Sequence, residues 1–512
     1  MPDVLAIEMK YHDGTSEKTR YVTDVSKFVT RPSDTPANIA FLPRLASQSV
    51  YSVNAVRSGA TFGVSEAAFG QLELVNIDGA LDAWANDGVS GRDITIRRGS
   101  DAAAYPSGFA TIFKGVQASI EASFNRLNIT FSDRQASLQK PLQTNFFAGN
   151  NSLPNGLEGV ADLKGKPKPR IYGRCKKVPL QIINTSRLIY QVSDQQAAVS
   201  AVYDGGLGLT AGAAYSSQAD METTAPAAGN YRVWSPAGAA CYVRLGSSAA
   251  KGITADVDAA GTATNWTTAQ VLKAIALDAG FVSGDINASD VTALDTANNA
   301  VVGYALTGTE SALDCMNAVA ASIGAIFWVD ALGALRMFRL AAPSGSPVTT
   351  LTKTQIVDID RITTRDDGLG VPCYRVELDY QRYWRTQSTT DTVNAVEAAR
   401  PDLAQAYRRV TSTDTSIQTK HTNAPVLRFQ TLLDVEAAAQ SEADRRLTLY
   451  KAQRQMLKVT VIVPPATLAL LVLGAVVNVT IPRFGCDAGV LFVVLGITVV
   501  LKDNKATLTL WG

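Results

Sequence analysis

Histidine is nearly absent from this 512-residue chain, and its scarcity removes the usual basis for many enzyme sites. The two histidines, His12 and His421, lie far apart in polar surroundings and are interpreted as solvated surface residues. No GxSxG motif supports a serine nucleophile. Acidic residues are plentiful, but sequence spacing cannot show a glycosidase pair across a cleft. We therefore predict a non-enzymatic protein with no catalytic, cofactor-binding or metal-binding residues and no cofactor.

Paired cysteines are also lacking. The five cysteines are widely spaced and form no CxxC motif: Cys175, Cys241, Cys315, Cys373 and Cys486. Disulfide frameworks are usually cysteine-dense, and zinc or iron–sulfur sites usually show closely spaced pairs. The pattern favours buried free thiols in a reducing compartment. A metal or iron–sulfur cluster assembled from distant cysteines is the open alternative.

Neither sign of charge predominates. The 47 Lys and Arg residues balance 46 Asp and Glu residues, so the net charge of +1 gives no bulk attraction to nucleic acid or to an anionic membrane. One dense basic strip, residues 164–177, departs from this balance with Lys164, Lys166, Lys168, Arg170, Arg174, Lys176 and Lys177. It could bind phosphates with Tyr172 as a stacking partner, meet an acidic partner protein, or be a solvated face.

Phosphate-binding loops have only one weak candidate. Gly206, Gly208 and Ala211 match a loose GxGxxA pattern after the predicted strand AVSAVYD. The following GAAYSSQAD does not have the helical pattern that a dinucleotide site requires. An ordinary flexible turn is the favoured interpretation, and no GxxxxGK[ST] motif is present.

One long charge-free stretch, residues 459–481, has the length of a membrane span, which needs about 20 apolar residues. Residues 457–463 and 475–481 alternate with a period of two, and Pro464 and Pro465 remove backbone donors between them. This pattern predicts two strands joined by a loop and no stable membrane span. The N-terminal stretch MPDVLAIEMKYHDG carries acids and has no apolar signal-peptide core.

Hydrophobic residues, at 46% of the chain, are abundant enough for large cores. The predicted fold is β-rich, mixed α+β and multidomain, with antiparallel β-barrel or sandwich-like domains at both ends and a small α+β middle domain. The expected divisions are a β-domain at 1–141, an extended arm and β-region with an Ala/Gly-rich loop at 142–229, an α+β domain at 230–345, and a β-domain at 346–512. The last includes one long helix, 434–456.

Three helices have recognisable patterns. Thr267 and Gln270 form a capping-box pattern, and Gly280 follows as a C-cap signal. In SALDCMNAVAASIG the predicted apolar stripe contains Leu313, Met316, Ala320 and Ile323, and a strand–turn–strand unit follows. Asp434 is the predicted N-cap of the long helix, whose narrow apolar face contains Ala439, Ala443, Leu447 and Tyr450. Of the tryptophans, Trp84 and Trp511 are candidate interface anchors.

Several segments, in order, resemble the tail-tip or baseplate hub proteins of bacteriophages with long non-contractile tails and of gene-transfer particles. The closing pattern is the most specific: LTLYKAQRQ, then LGAVVNVTIPRFG, LFVVLGITV and TLTLWG. Upstream lie LVNIDGALDAWANDGVSGRDITIRRG, LEGVADLKGKPKPRIYGR and SALDCMNAVAASIGAIFWVDALGALRMFRL. The resemblance extends from about residue 60 to the C-terminus. One departure is Ala475, where an acid is expected after Leu473 and Gly474.

The resemblance implies a structural hub at the tail tip of the virion, made in the host bacterial cytoplasm. The hub would be a homotrimer whose β-barrel-like domains form a pseudo-sixfold ring. The ring would close the tail tube, attach to a distal tail protein and carry tail fibres. It would also meet the tape-measure protein and open for DNA passage on host binding. Because the chain has no long C-terminal extension, receptor recognition is expected to reside in separate fibre proteins.

Two alternatives belong to other functional classes. A carbohydrate-binding adhesin at the tail tip would also have β-domains with exposed aromatic residues. A tail-associated cell-wall hydrolase is disfavoured by the isolated histidines and the lack of a cleft motif. For the hub, removal of the closing hairpin, residues 491–512, is expected to prevent trimer or tail assembly.

Overall fold

The first quarter of the chain forms antiparallel strands, as its short alternating runs predict. The computed structural model describes residues 3–46, 49–57 and 59–512, so Met1 and Pro2 of the N-terminal stretch lie outside the described residues. The strands here are β1 (Asp3–His12), β2 (Glu17–Thr23), β3 (Phe28–Val29), β4 (Ala40–Pro43), β5 (Val50–Asn54), β6 (Phe69–Val75), β7 (Asp93–Ser100), β8 (Phe109–Ala122) and β9 (Arg126–Ser132).

The next part of the chain begins with an extended connection and then forms two five-stranded sheets. Its elements are β10 (Arg170–Pro179), β11 (Gln181–Asn184), β12 (Ile189–Ser193), β13 (Ala197–Asp204), β14 (Leu207–Gly208), β15 (Thr210–Ala211), α1 (Gln218–Thr223), β16 (Asn230–Trp234), β17 (Cys241–Leu245) and β18 (Ile253–Ala259). One sheet has the order β14-β13-β18-β10, and the other has the order β11-β12-β17-β16-β15.

A helical unit follows and contributes one strand to the first of these sheets. It contains α2 (Thr268–Asp278), α3 (Ala288–Ala297), β19 (Gly303–Leu306), α4 (Ala312–Ala321), β20 (Ala325–Val329) and β21 (Leu335–Arg339). Strand β19 pairs with β10, and β20 and β21 form the predicted antiparallel hairpin.

The remaining elements alternate between two parts of the molecule. They are β22 (Thr349–Thr352), β23 (Ile356–Ile362), β24 (Arg375–Tyr380), α5 (Arg400–Leu403), β25 (Arg408–Thr413), α6 (Ile417–Lys420), β26 (Val426–Gln430), α7 (Glu436–Tyr450), β27 (Met456–Ile462), α8 (Pro465–Leu468), β28 (Val476–Thr480), β29 (Val490–Val500) and β30 (Lys505–Trp511). The described residues thus form 30 strands and eight α-helices. The predicted β-rich, mixed α+β class is confirmed.

The N-terminal strands close into a barrel. Strands β6, β9, β8, β7, β1 and β2 pair in this order, and β4 joins β2 in parallel. The segment after β4 then returns to β6. There the amide of Ala46 donates to the carbonyl of Glu73, and the amide of Val75 donates to the carbonyl of Arg44, each at 2.8 Å. These bonds remove the sheet edges that an open arrangement would leave.

The C-terminal strands curl in a similar way. Their order is β22-β28-β29-β30-β27-β23. A turn of only three residues connects Thr352, at the end of β22, to Ile356, at the start of β23. Since three residues span only about 10 Å, the first and last strands of this order, β22 and β23, lie close together at the turn. We call this unit the C-terminal barrel; its seam lies between β22 and β23.

Strand β29 connects the two barrels. Its first part, from Val490 to Val493, pairs with β28, whereas the part from Gly496 to Val500 pairs with β5. The opposite side of β29 pairs with β30. The first and last segments of the chain therefore share one 15-stranded sheet and one apolar core.

The charge-free stretch forms two strands, as predicted. Strand β27 lies between β23 and β30, whereas β28 lies between β22 and β29, so the two strands are not neighbours. The short helix α8 follows Pro464 in the connecting loop. None of the helices formed by the described residues has both the length and the apolarity that a membrane span requires.

Helix α2 begins and ends where the sequence predicts. The Thr267 hydroxyl accepts a hydrogen bond from the Gln270 amide at 3.3 Å, and Gly280 has a φ of +98° just after the helix. The capping box is only half formed, because the Gln270 side chain donates to Asp295 at 2.7 Å instead of returning to the helix start. On α4, the stripe residues Met316 and Ala320 are buried as predicted, while Leu313 is half-buried. Ile323, the last residue of the predicted stripe, is buried just after the helix ends at Ala321.

Helix α7 is shorter than the predicted 434–456 and has a different first residue. It covers Glu436–Tyr450, and Val435 occupies the N-cap position without a side-chain hydrogen bond. Asp434, the predicted N-cap, is buried and instead lies 3.6 Å from the guanidinium of Arg174. A carboxylate held by a cation on a distant strand is not available to cap the helix.

The apolar face of α7 packs inside the chain. Ala439 and Ala443 are fully buried, and Leu447 is nearly so. They belong to a second core that also contains residues of α2, α4 and β24. In space, α7 therefore belongs with the helical unit, although the C-terminal barrel follows it directly in sequence.

Candidate functional site

Large aliphatic side chains are exposed on the outside of the C-terminal barrel. Five of them, between 36% and 59% exposed, lie on β23, at the end of β27 and in the following loop: Val357, Ile362, Ile462, Leu470 and Val472. We call this group the C-terminal apolar surface. Single exposed aliphatic residues are common, but several on neighbouring elements are typical of a contact site.

Strand β23 has the features of a protected edge. Among the described residues it pairs with β27 on one side and with no strand on the other. Asp358, Asp360 and Arg361 are exposed, and the register shifts between Ile356 and Asp358. Charges and bulges limit unspecific strand pairing. Asp358 and Asp360 are paired with Thr460 and Lys458, so charged side chains lie among the aliphatic ones on the outer face. A face that mixes aliphatic and charged side chains favours contact with a specific partner.

The closing hairpin β29–β30 lies in the interior of the sheet. Strand β30 is flanked by β27 and β29, and Leu508, Leu510 and Trp511 are buried. Loss of residues 491–512 would remove two central strands and separate the barrels. The expected failure of assembly would then follow from loss of the fold, so this truncation does not probe an interface.

The basic strip is largely paired within the chain. Arg170 is buried and bonds to Asp194 at 2.7 Å and to Asp278 at 3.1 Å. The Tyr172 hydroxyl donates to Asp278 at 2.6 Å, so the ring is held in the interior and is not free to stack on a base. Burial, followed by the charge of Asp278, raises the pKa of Tyr172.

The second half of the strip is paired in the same way. Arg174 bonds to Asp258 at 2.9 Å, and Lys177 bonds to Asp256 at 3.1 Å. Only Lys164 and Lys166, at the start of the strip, are exposed side chains. Residues 168–177 thus anchor β10 to the adjoining strands and helices, a structural role that charge density alone does not reveal.

The two histidines remain apart. His12 ends β1 and is half-exposed, with its Nδ1 accepting a hydrogen bond from the Gly14 amide at 3.1 Å. His421 is also half-exposed and follows α6. Among the described residues, no group of three or more His, Cys, Asp or Glu side chains is arranged to hold a metal ion.

The GxGxxA pattern forms a turn between strands. Gly206 lies at the turn from β13 to β14, with a φ of +87°. Strand β15, which includes Ala211, follows in place of the helix that a dinucleotide site would need. The interpretation as an ordinary turn is confirmed at this position.

All five cysteines are buried free thiols. Burial raises the pKa of Cys241 and of Cys315 to about 12 and that of Cys373 to about 11. Because the thiolate is the reactive form, these side chains behave as apolar core residues.

The tryptophans do not form an exposed aromatic surface. The prediction that Trp511 is an interface anchor is wrong, because its side chain is 3% exposed and packs in the barrel core. Trp84, the other candidate, is half-buried and lies under the guanidinium of Arg20 at 4.1 Å. Trp234 stacks on Tyr242, so its face is also engaged.

Ala475 has a structural explanation. It is half-buried against the shared core, and its carbonyl accepts the amide of Val494 at 2.9 Å. An acidic side chain here would place a carboxylate against apolar residues without a partner, which is unfavourable.

Sequence reasoning missed the helix α3 and the C-terminal apolar surface. The stretch IVDIDRI mixes apolar and charged residues without strict alternation, so it does not indicate which face of a strand is exposed. The outer face became identifiable only when β27 and β23 were paired in space. The alternation of residues 457–463 placed Ile462 on one face with Lys458 and Thr460, but it did not indicate whether that face is covered.

Known proteins give only remote comparisons. No family model matches the chain, and no curated protein has a significantly similar sequence. Among solved structures, a tail protein from Neisseria meningitidis MC58 is 11% identical with a TM-score of 0.45, and the match covers 100% of this chain and 97% of that chain.

Two other solved structures are similarly distant. The 43 kDa tail protein of prophage MuSo2 from Shewanella oneidensis is 10% identical with a TM-score of 0.43, and the match covers 99% and 96% of the two chains. A chain of a native gene transfer agent virion is 15% identical with a TM-score of 0.43, over 73% and 90%. These scores are too low to establish a common fold or role.

Proposed function

We propose that this chain is a non-enzymatic structural protein of a bacteriophage-type tail, and that it forms the homotrimeric hub of the tail tip or baseplate. In this role it closes the tail tube, attaches to a distal tail protein and carries fibres or other tip proteins. It also meets the tape-measure protein and opens for DNA when a host is engaged. Its location is the virion, after synthesis in the host bacterial cytoplasm.

The sequence resemblance supports the family. Its segments occur in the order expected for a hub, and the most specific of them ends the chain. In the fold, LFVVLGITV and TLTLWG contribute to β29 and β30, the strands at the junction of the two barrels. The closing sequence pattern, which is the most specific part of the resemblance, therefore forms the two strands that join the barrels.

The observation that carries the proposal is the pair of barrels joined through β29. A trimer of such chains would present six barrels, which suits a ring facing a sixfold tube. The C-terminal apolar surface offers a contact for a second copy, because burying its aliphatic side chains would favour association. Its position on one barrel suits a heterologous contact, in which each copy uses two different surfaces to close a ring.

Oligomeric mass tests this assembly. We expect the purified chain to sediment at three times its 54.3 kDa mass. The double variant Val357→Asp with Ile462→Asp should sediment as a monomer, since two carboxylates buried without partners each cost several kcal/mol. A control with Leu207→Asp and Leu332→Asp changes two exposed aliphatic residues outside the barrel and should remain trimeric. A monomeric wild type, or an unaffected Val357/Ile462 variant, would contradict the proposed contact.

The non-enzymatic part of the proposal has its own test. We expect a zymogram on purified host cell wall to show no clearing at the position of this chain. A clearing zone would support the hydrolase alternative and contradict this part of the proposal. The adhesin alternative lacks an exposed tryptophan platform, because Arg20 covers one face of Trp84 and Tyr242 covers one face of Trp234.

A further inference from the structure

A cavity of about 490 Å³ lies between the helical unit and the N-terminal segment. Its walls come from α4, β26, α7 and residues 61–64, and from two residues near β24 and β25, Arg382 and Tyr407. These pieces are distant in sequence, so the cavity exists only in the folded chain. Its volume is enough for one or two side chains of another molecule.

The rim formed by residues 61–64 is held in place by polar bonds. The Thr61 amide and hydroxyl donate to the two carboxylate oxygens of Asp366 at 2.8 and 2.7 Å. The Ser65 amide donates to the Asn317 side chain at 2.9 Å. The cavity is therefore formed before a ligand arrives, which lowers the ordering cost of binding.

Arg382 offers a cation without a partner in this cavity. Its guanidinium lies 3.9 Å from the ring centre of Trp384 and 6.0 Å from that of Tyr407. Throughout residues 3–46, 49–57 and 59–512, no side chain or carbonyl forms a hydrogen bond or ion pair with it. The rings fix the position of the guanidinium while its N–H donors remain available.

The other cations of the cavity add to an excess of positive charge. Arg445 and Arg446 share the carboxylate of Glu442 with Arg339. Glu442 is therefore outnumbered by its guanidinium partners.

Arg428 belongs to a second cluster, in which three arginines surround two carboxylates. It bonds to Glu377 at 3.0 Å; that carboxylate also pairs with Arg375 and with Arg409, and Arg409 pairs with Asp379 as well. Asp314 is the acid at the cavity rim, and it is engaged by the Ser311 hydroxyl at 2.6 Å. An entering carboxylate would consequently meet a net positive field.

One wall of the cavity is apolar. The Phe62 ring packs edge-on against Phe429 at 5.1 Å and against Tyr450 at 5.7 Å. Ala318 and Ala321 on α4 line the same cavity. A ligand that fits both walls has an anionic group beside an apolar body.

We propose that this cavity binds an acidic anchor of another polypeptide, in which a carboxylate side chain lies next to an apolar one. The carboxylate bonds to Arg382, and its apolar neighbour packs against Phe62. A peptide is favoured over a nucleic acid because the cations converge on one half-open cavity, whereas a phosphate backbone needs cations along a track. The inference does not depend on the proposed place of the chain in a tail.

Two peptides that differ only in charge test the inference. The probes are acetyl-Gly-Phe-Glu-Gly-amide and its Gln counterpart, with affinities measured by isothermal titration calorimetry on the full chain. We expect the Glu peptide to bind about tenfold more tightly, because its carboxylate accepts charge-assisted hydrogen bonds from Arg382 that the neutral Gln amide cannot match. In Arg382→Gln this preference should disappear, while the chain keeps a cooperative thermal transition, because the guanidinium stacks on Trp384 but makes no hydrogen bond or ion pair within the fold.

Two further variants test a control arginine outside the cavity and the apolar wall of the cavity. Arg483→Gln removes another exposed arginine that lies over an aromatic ring, and it should keep the tenfold preference. Phe62→Leu should weaken both peptides equally. The inference is overturned if neither peptide binds to the wild type, or if Arg382→Gln retains the preference for Glu. Trimer formation is measured separately by sedimentation. A monomeric chain would therefore contradict the proposed function without contradicting peptide binding at the cavity.

Discussion

The C-terminal barrel and the surroundings of α7 adjoin in sequence, yet they are stabilised by different interactions. Among the described residues, no ion pair joins two residues of the barrel, and its core contains aliphatic residues such as Val459, Val461 and Leu508. Helix α7 instead contributes Glu442, a fully buried side chain with three arginine partners. The barrel therefore depends on apolar burial, whereas the α7 region also depends on charge compensation.

This difference bears on how the two regions respond to conditions. Apolar burial changes little with pH, but a buried carboxylate surrounded by arginines contributes stability only while it is charged. A chain with both kinds of region should lose the α7 packing first in acid, with the barrel lost later.

Deletion of residues 491–512 should abolish the fold. It removes β29 and β30, which join the two barrels and cover the core that both share. We expect the truncated chain to show no cooperative unfolding in urea, followed by circular dichroism. A cooperative transition with the wild-type midpoint would show that the barrels are independent of this hairpin.

Glu442→Gln should destabilise the chain by about 3–5 kcal/mol, because it leaves three arginines near the α7 core without their shared counter-charge. Urea unfolding at neutral pH measures this loss. The matched control is Asp444→Asn on the exposed side of the same helix, with an expected change within about 0.5 kcal/mol. Equal effects of the two substitutions would contradict the assigned role of Glu442.

The Glu442→Gln effect should also depend on pH. Burial alone would raise the pKa of Glu442, but the hydrogen bond from Arg445 and the charges of Arg446 and Arg339 outweigh it and lower the pKa below its ordinary value. A lowered acid pKa gives stability that is present above the unfolded-state value of about 4.5 and is lost as the pH falls through the folded-state value.

Leu508→Ala provides the reference for this pH test. It should cost about 2–5 kcal/mol through loss of burial and a cavity in the barrel core. Its effect should stay constant between neutral pH and pH 4, whereas the difference between wild type and Glu442→Gln should shrink below about pH 4.5. Urea titrations across this pH range measure the loss of unfolding free energy in both variants. If the two losses changed with pH in the same way, the distinction between the two regions would be contradicted.

Local patterns in the sequence were sufficient for much of the fold. Period-two alternation and the two prolines identified β27 and β28, and the Thr267 cap located the start of α2. Long-range pairing was not accessible in this way. Asp434 has the right residue type and position for an N-cap, but Arg174, 260 positions away in sequence, engages it instead.

The candidate site was even less predictable. The basic strip looks like a surface when its charges are counted along the chain, and its partners, such as Asp194 and Asp278, are separated from it in sequence. The exposed face of β23 likewise follows from which strand it joins. Such features depend on tertiary contacts, and single-sequence propensities do not encode them.

Electron cryomicroscopy of intact particles that carry this chain would show directly whether three copies form the hub at the end of a tail. We expect a trimeric ring at the distal end of the tail, with six barrels facing the tube and the C-terminal apolar surface buried between copies. Density for the chain elsewhere in the particle, or a tail tip with a different number of copies, would contradict it.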